Sequence, residues 1–226
     1  MSSSAPPQLT SRQVKEVDAL AQERFGISVE WLMEAAGWQV ARACPDAAAV
    51  VCGTGNNAGD GLAAARHLHR WGRLATVCCV DADRLRGAAA RELEVLRRIG
   101  VQVSGELRLE GASTVIDAIF GTGLSRRPEG RFAEWIEALN SSRLRVIAVD
   151  VPSGLDADSG VAYAPCVQAH TTITLGLPKP GLLIGDGLRL AGEVWVADIG
   201  VPFEAYEAIG VTGCRDLFAQ GERVRL

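Results

Sequence analysis

The stretch VVCGTGNNAGDGLAAARHL, residues 50–68, decides the fold: an apolar run enters a glycine-studded turn and leaves it as a helix-like pattern. Residues 53–58, GTGNNA, fit the turn G-x-G-x-x-G/A that joins a strand to a helix in dinucleotide-binding folds. Gly53 and Gly55 permit the turn and the approach of a pyrophosphate, Ala58 permits close helix packing, and Asp81 lies past the next strand, where a ribose-binding acid is expected. On these residues alone the chain reads as a nicotinamide-dependent dehydrogenase. The same stretch also carries Asn56, Asn57, Asp60 and Gly61. It thus sets amides and a carboxylate where a dinucleotide turn needs mainly backbone N–H groups. A carboxylate beside a phosphate cradle repels the phosphate unless a cation or a proton intervenes. The plainer readings are turn chemistry for the two asparagines and a helix N-cap for Asp60.

Working outward, short β-branched runs alternate with helical segments: AVVC, LATVCCV, VQV, TVIDAIF, LRVIAVDV, TTITLG and EVWVADIG, with helices expected to about Trp71, from Ala88 to Ile99 and around Phe132 to Leu139. Such alternation predicts an α/β fold, a Rossmann-like three-layer αβα sandwich with a mostly parallel central sheet. Two further helices precede the first strand and are expected to pack across an edge or one face of the sheet. The first opens at Thr10 with Gln13 three residues on, a capping-box spacing, and ends near Gly26. The second starts from Ser28 and has an apolar face of Trp31, Leu32, Ala35, Ala36 and Val40. No internal repeat or linker interrupts residues 1–226, so one domain is expected. The final RDLFAQGERVRL has no clear home and reads as the beginning of a connection to a second module.

The composition is that of a folded protein, with 48% hydrophobic and 22% charged residues among 226. A net charge of −4 argues against a nucleic-acid partner, which calls for a concentrated basic surface, and favours a small molecule. No run approaches the roughly 20 apolar residues of a membrane span, and MSSSAPPQLTS lacks the marks of a secretion signal, so a cytoplasmic protein is expected. The six cysteines form no C-x-x-C pair and read as reduced core residues. His67, His69 and His170 show no zinc-ligand spacing, and Trp31 and Trp38 read as core or subunit-contact residues.

In open parallel sheets the ligand lies beyond the carboxyl ends of the strands, and two more unusual loops fall there. VIDAIFGTGLSRRPEG ends a strand with Asp117, and its loop supplies Gly121, Gly123, Arg126 and Arg127, backbone donors and guanidinium groups suited to a phosphate. VIAVDVPSGLDADSG sets Asp150 at the end of an apolar strand, ahead of Ser153. Low-dielectric surroundings there suit a general acid/base. Lys179, in LPKPGLL, reads as solvated rather than phosphate-bound.

With GTGNNAGDGLAAARHL, DAIFGTGL, VDVPSGLDADSG and LGLPKPGL in this order, the chain resembles the NAD(P)H-hydrate epimerase family, also called the YjeF N-terminal domain. The resemblance covers nearly the whole chain. It implies interconversion of the R and S hydrates of NADH and NADPH at nicotinamide C6, in the repair of damaged cofactors. It implies a potassium ion held by Asn57, Asp117 and Ser153, which accounts for the oxygen-rich side chains of the first loop by hard-ion coordination. It also implies a hydrated dinucleotide held by Asn56, Asn57, Ala58, Gly59 and Asp60, by Gly121, Thr122, Gly123, Leu124, Ser125, Arg126 and Arg127, and by Asp150, with Asp150 as the catalytic proton carrier. Ala58 departs from the family's usual glycine. The family's members often form dimers, and many are fused to a hydrate dehydratase. The other readings are the dehydrogenase and a non-catalytic nucleotide-binding or scaffold module of the same fold.

Overall fold

Each apolar run of the sequence becomes a strand in the computed structural model, which describes residues 6–219 and 221–226. Met1–Ala5, the start of the segment read against a secretion signal, and Gln220 lie outside the described residues. The strands are β1 (Ala48–Cys52), β2 (Leu74–Cys79), β3 (Val103–Ser104), β4 (Thr114–Ala118), β5 (Arg145–Val149), β6 (Thr171–Leu175), β7 (Glu193–Ala197) and β8 (Arg223–Arg225). They form one sheet in the order β3-β2-β1-β4-β5-β6-β7-β8, parallel except for β8. The order reverses between β1 and β4, and at such a switch point the connections leave a crevice at the carboxyl ends of the strands.

The helices are α1 (Ser11–Glu23), α2 (Val29–Ala43), α3 (Asn56–Arg70), α4 (Gly87–Arg98), α5 (Arg131–Ser141), α6 (Gly187–Leu190) and α7 (Phe203–Ala208). Period-two alternation divides each central strand between two cores. Val50, Ile116 and Ile147 join Leu62, Ala65 and Leu93 of α3 and α4 on one face. Val51, Val115 and Val146 join Trp135, Ile136 and Leu139 of α5 on the other. All five β1 residues are buried, as expected of a strand covered on both sides.

Thr10 caps α1 in the expected capping box, its hydroxyl accepting from Gln13 N at 3.3 Å and its N–H donating to Gln13 Oε1 at 3.0 Å. Ser28 caps α2, which lies against α3 on the first face. Trp31 corrects the expected apolar face of α2: it is 65% exposed, while Met33 and Gly37 turn inward beside Leu32, Ala36 and Val40. α1 does not cover the sheet. It packs with α7 in a separate apolar cluster around Leu9, Val17, Leu177 and Tyr206. The tail without a clear home supplies β8, the antiparallel edge strand beside β7. All six cysteines are free, five of them buried.

Candidate active site

The β1 strand ends against the end of β4. A Cβ on Gly53 would lie 2.0 Å from the carbonyl oxygen of Ile119, so only glycine lets the two loops pass. The chain then turns into α3, whose N-cap is Gly55 and whose first turn has no side-chain cap. The open N–H groups of such a helix end, with the positive end of its dipole, suit a phosphate. Asp60 lies in the second turn of α3 and is not the N-cap that the plainer reading assigns it.

A cavity of about 470 Å³ opens here, bounded by α1, α2 and the chain beyond the ends of β1, β4, β5 and β6. Its volume falls in the range of small-molecule sites. Asn56, Asn57 and Asp60 line it, as do Gly121, Thr122, Gly123, Leu124 and Asp150. Other residues expected to hold the dinucleotide are not brought together with these. Ala58 is fully buried in the core, so the methyl that departs from the family's glycine stays clear of the cavity. Gly59 is buried against Met33. Ser125, Arg126 and Arg127 are exposed and outside the lining. Asp81, the ribose-binding acid of the dehydrogenase reading, is also exposed and outside the lining.

Asp150 follows the last residue of β5 and takes a left-handed backbone, φ 67°, uncommon for a residue other than glycine, while its N–H still donates to Ile173 O at 2.8 Å. This swings its carboxylate into the crevice. The solvated reading of Lys179 is overturned there: the side chain is 2% exposed and its ammonium pairs with the Asp150 carboxylate. Lys179 Nζ also donates to Leu175 O at 2.8 Å and to Thr174 Oγ1 at 3.3 Å. Asp150 Oδ1 accepts from Thr174 Oγ1 at 3.3 Å, from Leu175 N at 3.2 Å and from the ammonium, and among the described residues no donor engages Oδ2. A buried lysine needs such partners, because an unpaired charge in the interior costs several kcal/mol. The sequence signal for Lys179 is its place between two prolines in an otherwise apolar run.

Asp117 and Ser153 meet directly. Ser153 donates to both carboxylate oxygens, from Oγ at 2.6 Å and from N at 2.9 Å, and its hydroxyl accepts from Phe120 N at 2.8 Å. Burial pushes the Asp117 carboxyl up to about 6 against these hydrogen bonds. Asn57 reaches the same loop: a Cβ on Gly121 would lie 2.9 Å from Asn57 Oδ1. The Asn57 amide nitrogen is buried with no hydrogen-bond partner among the described residues. The donors gathered here are an amide, a hydroxyl and a single carboxylate. That set fits a hard monovalent cation, and the one buried negative charge matches one positive charge. Among the described residues, no group of three or more His, Cys, Asp and Glu side chains is placed to hold a metal ion.

Two acids at the cavity were not singled out as proton carriers. Burial, and then the carboxylates of Asp150 and Asp18, push Asp60 well above the usual carboxylate range. Burial raises Asp18, on α1, to about 6, against the opposing charge of Lys179.

Comparison with known proteins adds to this geometry. A family model described as YjeF-related protein N-terminus matches residues 29–181, more than half of the chain. The chain belongs to that family. Among other members of the YjeF-related family, the NAD(P)H-hydrate epimerase of Dehalogenimonas lykanthroporepellens is 37% identical, over 96% of this chain and 92% of its own. The bifunctional NAD(P)H-hydrate repair enzyme Nnr of Thermofilum pendens is 45% identical, over 84% of this chain but 39% of its own. The chain thus spans about two fifths of the bifunctional relatives and nearly all of a stand-alone one. The crystal structure of yeast ynu0 superposes with a TM-score of 0.81 at 25% identity, covering 97% of this chain and 100% of that one. The shared fold therefore extends beyond the matched segment.

Proposed function

We propose that the chain is an NAD(P)H-hydrate epimerase, an isomerase that interconverts the R and S C6 hydrates of NADH and NADPH in nicotinamide nucleotide repair. The observation that carries this reading is the Asp150–Lys179 pair in the lining of a ligand-sized cavity that also includes an uncapped helix N-terminus. The likeness to a stand-alone epimerase over nearly the full length supports it.

The chemistry follows from the substrate. C6 carries a hydroxyl next to the ring nitrogen. When an acid protonates that hydroxyl, the nitrogen lone pair expels it as water and leaves a planar cation. Water then adds to either face and loses its proton to a base. Asp150 Oδ2 shuttles that proton, while Lys179 holds Oδ1 and fixes the carboxylate's direction. Opening and closing of the ring is the other route to the same inversion, and it uses the same proton carrier. The N–H groups at the start of α3 and the loop from Gly121 to Leu124 hold the phosphates, with Asn56, Asn57 and Asp60 beside them. Ser125, Arg126 and Arg127 serve a part of the dinucleotide that extends past Leu124 into solvent. Asn57, Asp117 and Ser153 would hold a potassium ion, which would supply a fixed positive charge to orient substrate oxygens and offset Asp117.

We read residues 1–226 as one domain on the single sheet. It acts either alone or beside a hydrate dehydratase, fused or separate, as in the bifunctional relatives. The exposed Trp31 and the adjoining face of α2 suit a homodimer contact. The six free cysteines suit a reducing compartment such as the cytoplasm. Among the described residues no helix is long and apolar enough to cross a membrane.

The test is to add purified protein to separated R and S hydrates of NADH and follow their ratio by chromatography. Both preparations should converge on one mixture. Ratios that stay apart would refute the reading, and a new oxidised nicotinamide would point to a dehydrogenase.

A further inference from the structure

Inversion at C6 sets a demand that one carboxylate meets poorly. A hydroxyl leaves from one face of the ring with a proton, and water arrives on the other face and must lose one. Asp150 projects from the strand-end floor of the cavity, with Oδ1 held by three donors. The helix α1 also bounds the cavity, and the carboxylate it contributes to the lining is Asp18. Among the described residues the Asp18 side chain accepts no hydrogen bond, in contrast to the buried Asp117 and to Asp150. Only its backbone carbonyl is engaged, by Gln22.

We propose that Asp18 is the second proton-handling carboxyl of this site, acting from the α1 wall on the ring face turned away from Asp150. The inference rests on the epimerase reading and adds a residue to it from outside the segment 29–181 that the family model matches.

The step balances. In one direction Asp150 gives a proton to the departing hydroxyl, the C6–O bond breaks and water leaves. A second water forms the new C6–O bond on the α1 side, and its proton passes to the Asp18 carboxylate. In the reverse direction Asp18 is the acid and Asp150 the base, and exchange with solvent resets both carboxyls.

The charged and titratable groups around Asp18 support this division of labour. Lys179 and Asp150 face it from the floor, Asp60 from α3, Tyr206 from α7 and Lys15 from its own helix. Asp60 has its carboxyl pushed well above the usual carboxylate range by burial and then by the charges of Asp150 and Asp18. Asp18, at about 6, can exist in both forms near the working pH, which is the requirement for a proton carrier.

The experiment compares wild type, Asp18→Asn and Asp18→Ala as full-length protein. It measures epimerisation across pH 5–8, NADP⁺ affinity as a binding probe, and the unfolding midpoint. Asp18→Asn should lower kcat by about a hundredfold or more, within the usual span of acid–base contributions. It should leave NADP⁺ affinity and the midpoint near wild type, and abolish the limb of the pH profile near 6. Acetate should restore part of the Asp18→Ala rate. Wild-type kcat in Asp18→Asn, or a lowered kcat with the pH limb intact and no rescue, would overturn the proposal while leaving the epimerase reading in place. A wild-type protein that leaves the hydrate ratio unchanged would overturn both.

Discussion

Replacing Lys179 by methionine tests the buried pair on which the proposed chemistry depends. The ammonium is 2% exposed and holds three partners: the Asp150 carboxylate, Leu175 O and Thr174 Oγ1. Methionine fills much of the same volume but leaves Asp150, whose side chain is 11% exposed, with only the Thr174 hydroxyl and the Leu175 N–H. Removing one partner of a buried pair costs about 3–5 kcal/mol. Asp150 opens onto a cavity that water can enter, so the lower figure applies. For a chain of this size, about 3 kcal/mol corresponds to a fall in Tm of roughly 6–12 °C. Adding Asp150→Asn removes the stranded charge, so the double variant should recover at least about 1 kcal/mol relative to the sum of the two single effects. Urea unfolding of wild type, both single variants and the double variant measures that coupling by linear extrapolation. A Lys179→Met protein within about 0.5 kcal/mol of wild type, the usual span for a surface substitution, would show a lysine that projects into solvent. Strictly additive effects would equally refute the pair.

Other perturbations follow from the same geometry. The folded-state pKa of Asp18, about 6, lies above the ordinary aspartate value of 3.8, so its contribution to stability is full below about pH 4 and lost as pH rises through 6. The difference in unfolding free energy between wild type and Asp18→Asn should therefore shift against wild type from pH 4 to 7, and a flat difference would contradict the burial of Asp18. Gly53→Ala drives a methyl to 2.0 Å from Ile119 O, a backbone atom that cannot turn aside. It should destabilise by about 1–3 kcal/mol and lower nucleotide affinity, whereas unchanged urea unfolding would mean that the loops are not in contact. Potassium should raise the Tm of wild type more than an equal concentration of a bulky organic cation does, and Asp117→Asn should erase the difference. An equal shift in the variant would remove Asp117 from the cation site.

What was legible in the sequence is what repeats at short range. The alternation of β-branched runs with helical periods marked β1, β2, β4 to β7 and the helices between them, because period two and period 3.6 depend only on which side of a local element is covered. The glycine turn at 53–61 was legible for a related reason: a short strand-to-helix turn leaves its mark in residues that tolerate crowding. Other features depended on distant partners. Trp31 fits an apolar helix face by spacing, but the neighbouring α3 meets α2 a fraction of a turn away. β8 is too short and charged to read as a strand until β7 offers it an edge. Arg126 and Arg127 share a loop with cavity residues yet are carried past its rim. Lys179 lies 29 residues from Asp150 and Asp18 lies on a helix before the first strand, so neither carries a local sign of the site. The sequence determined which strands and turns form and which residue types stand at their ends. Tertiary structure alone decided which charges are buried together, because the free energy of a charge is set by the partners and solvent that the completed fold places around it.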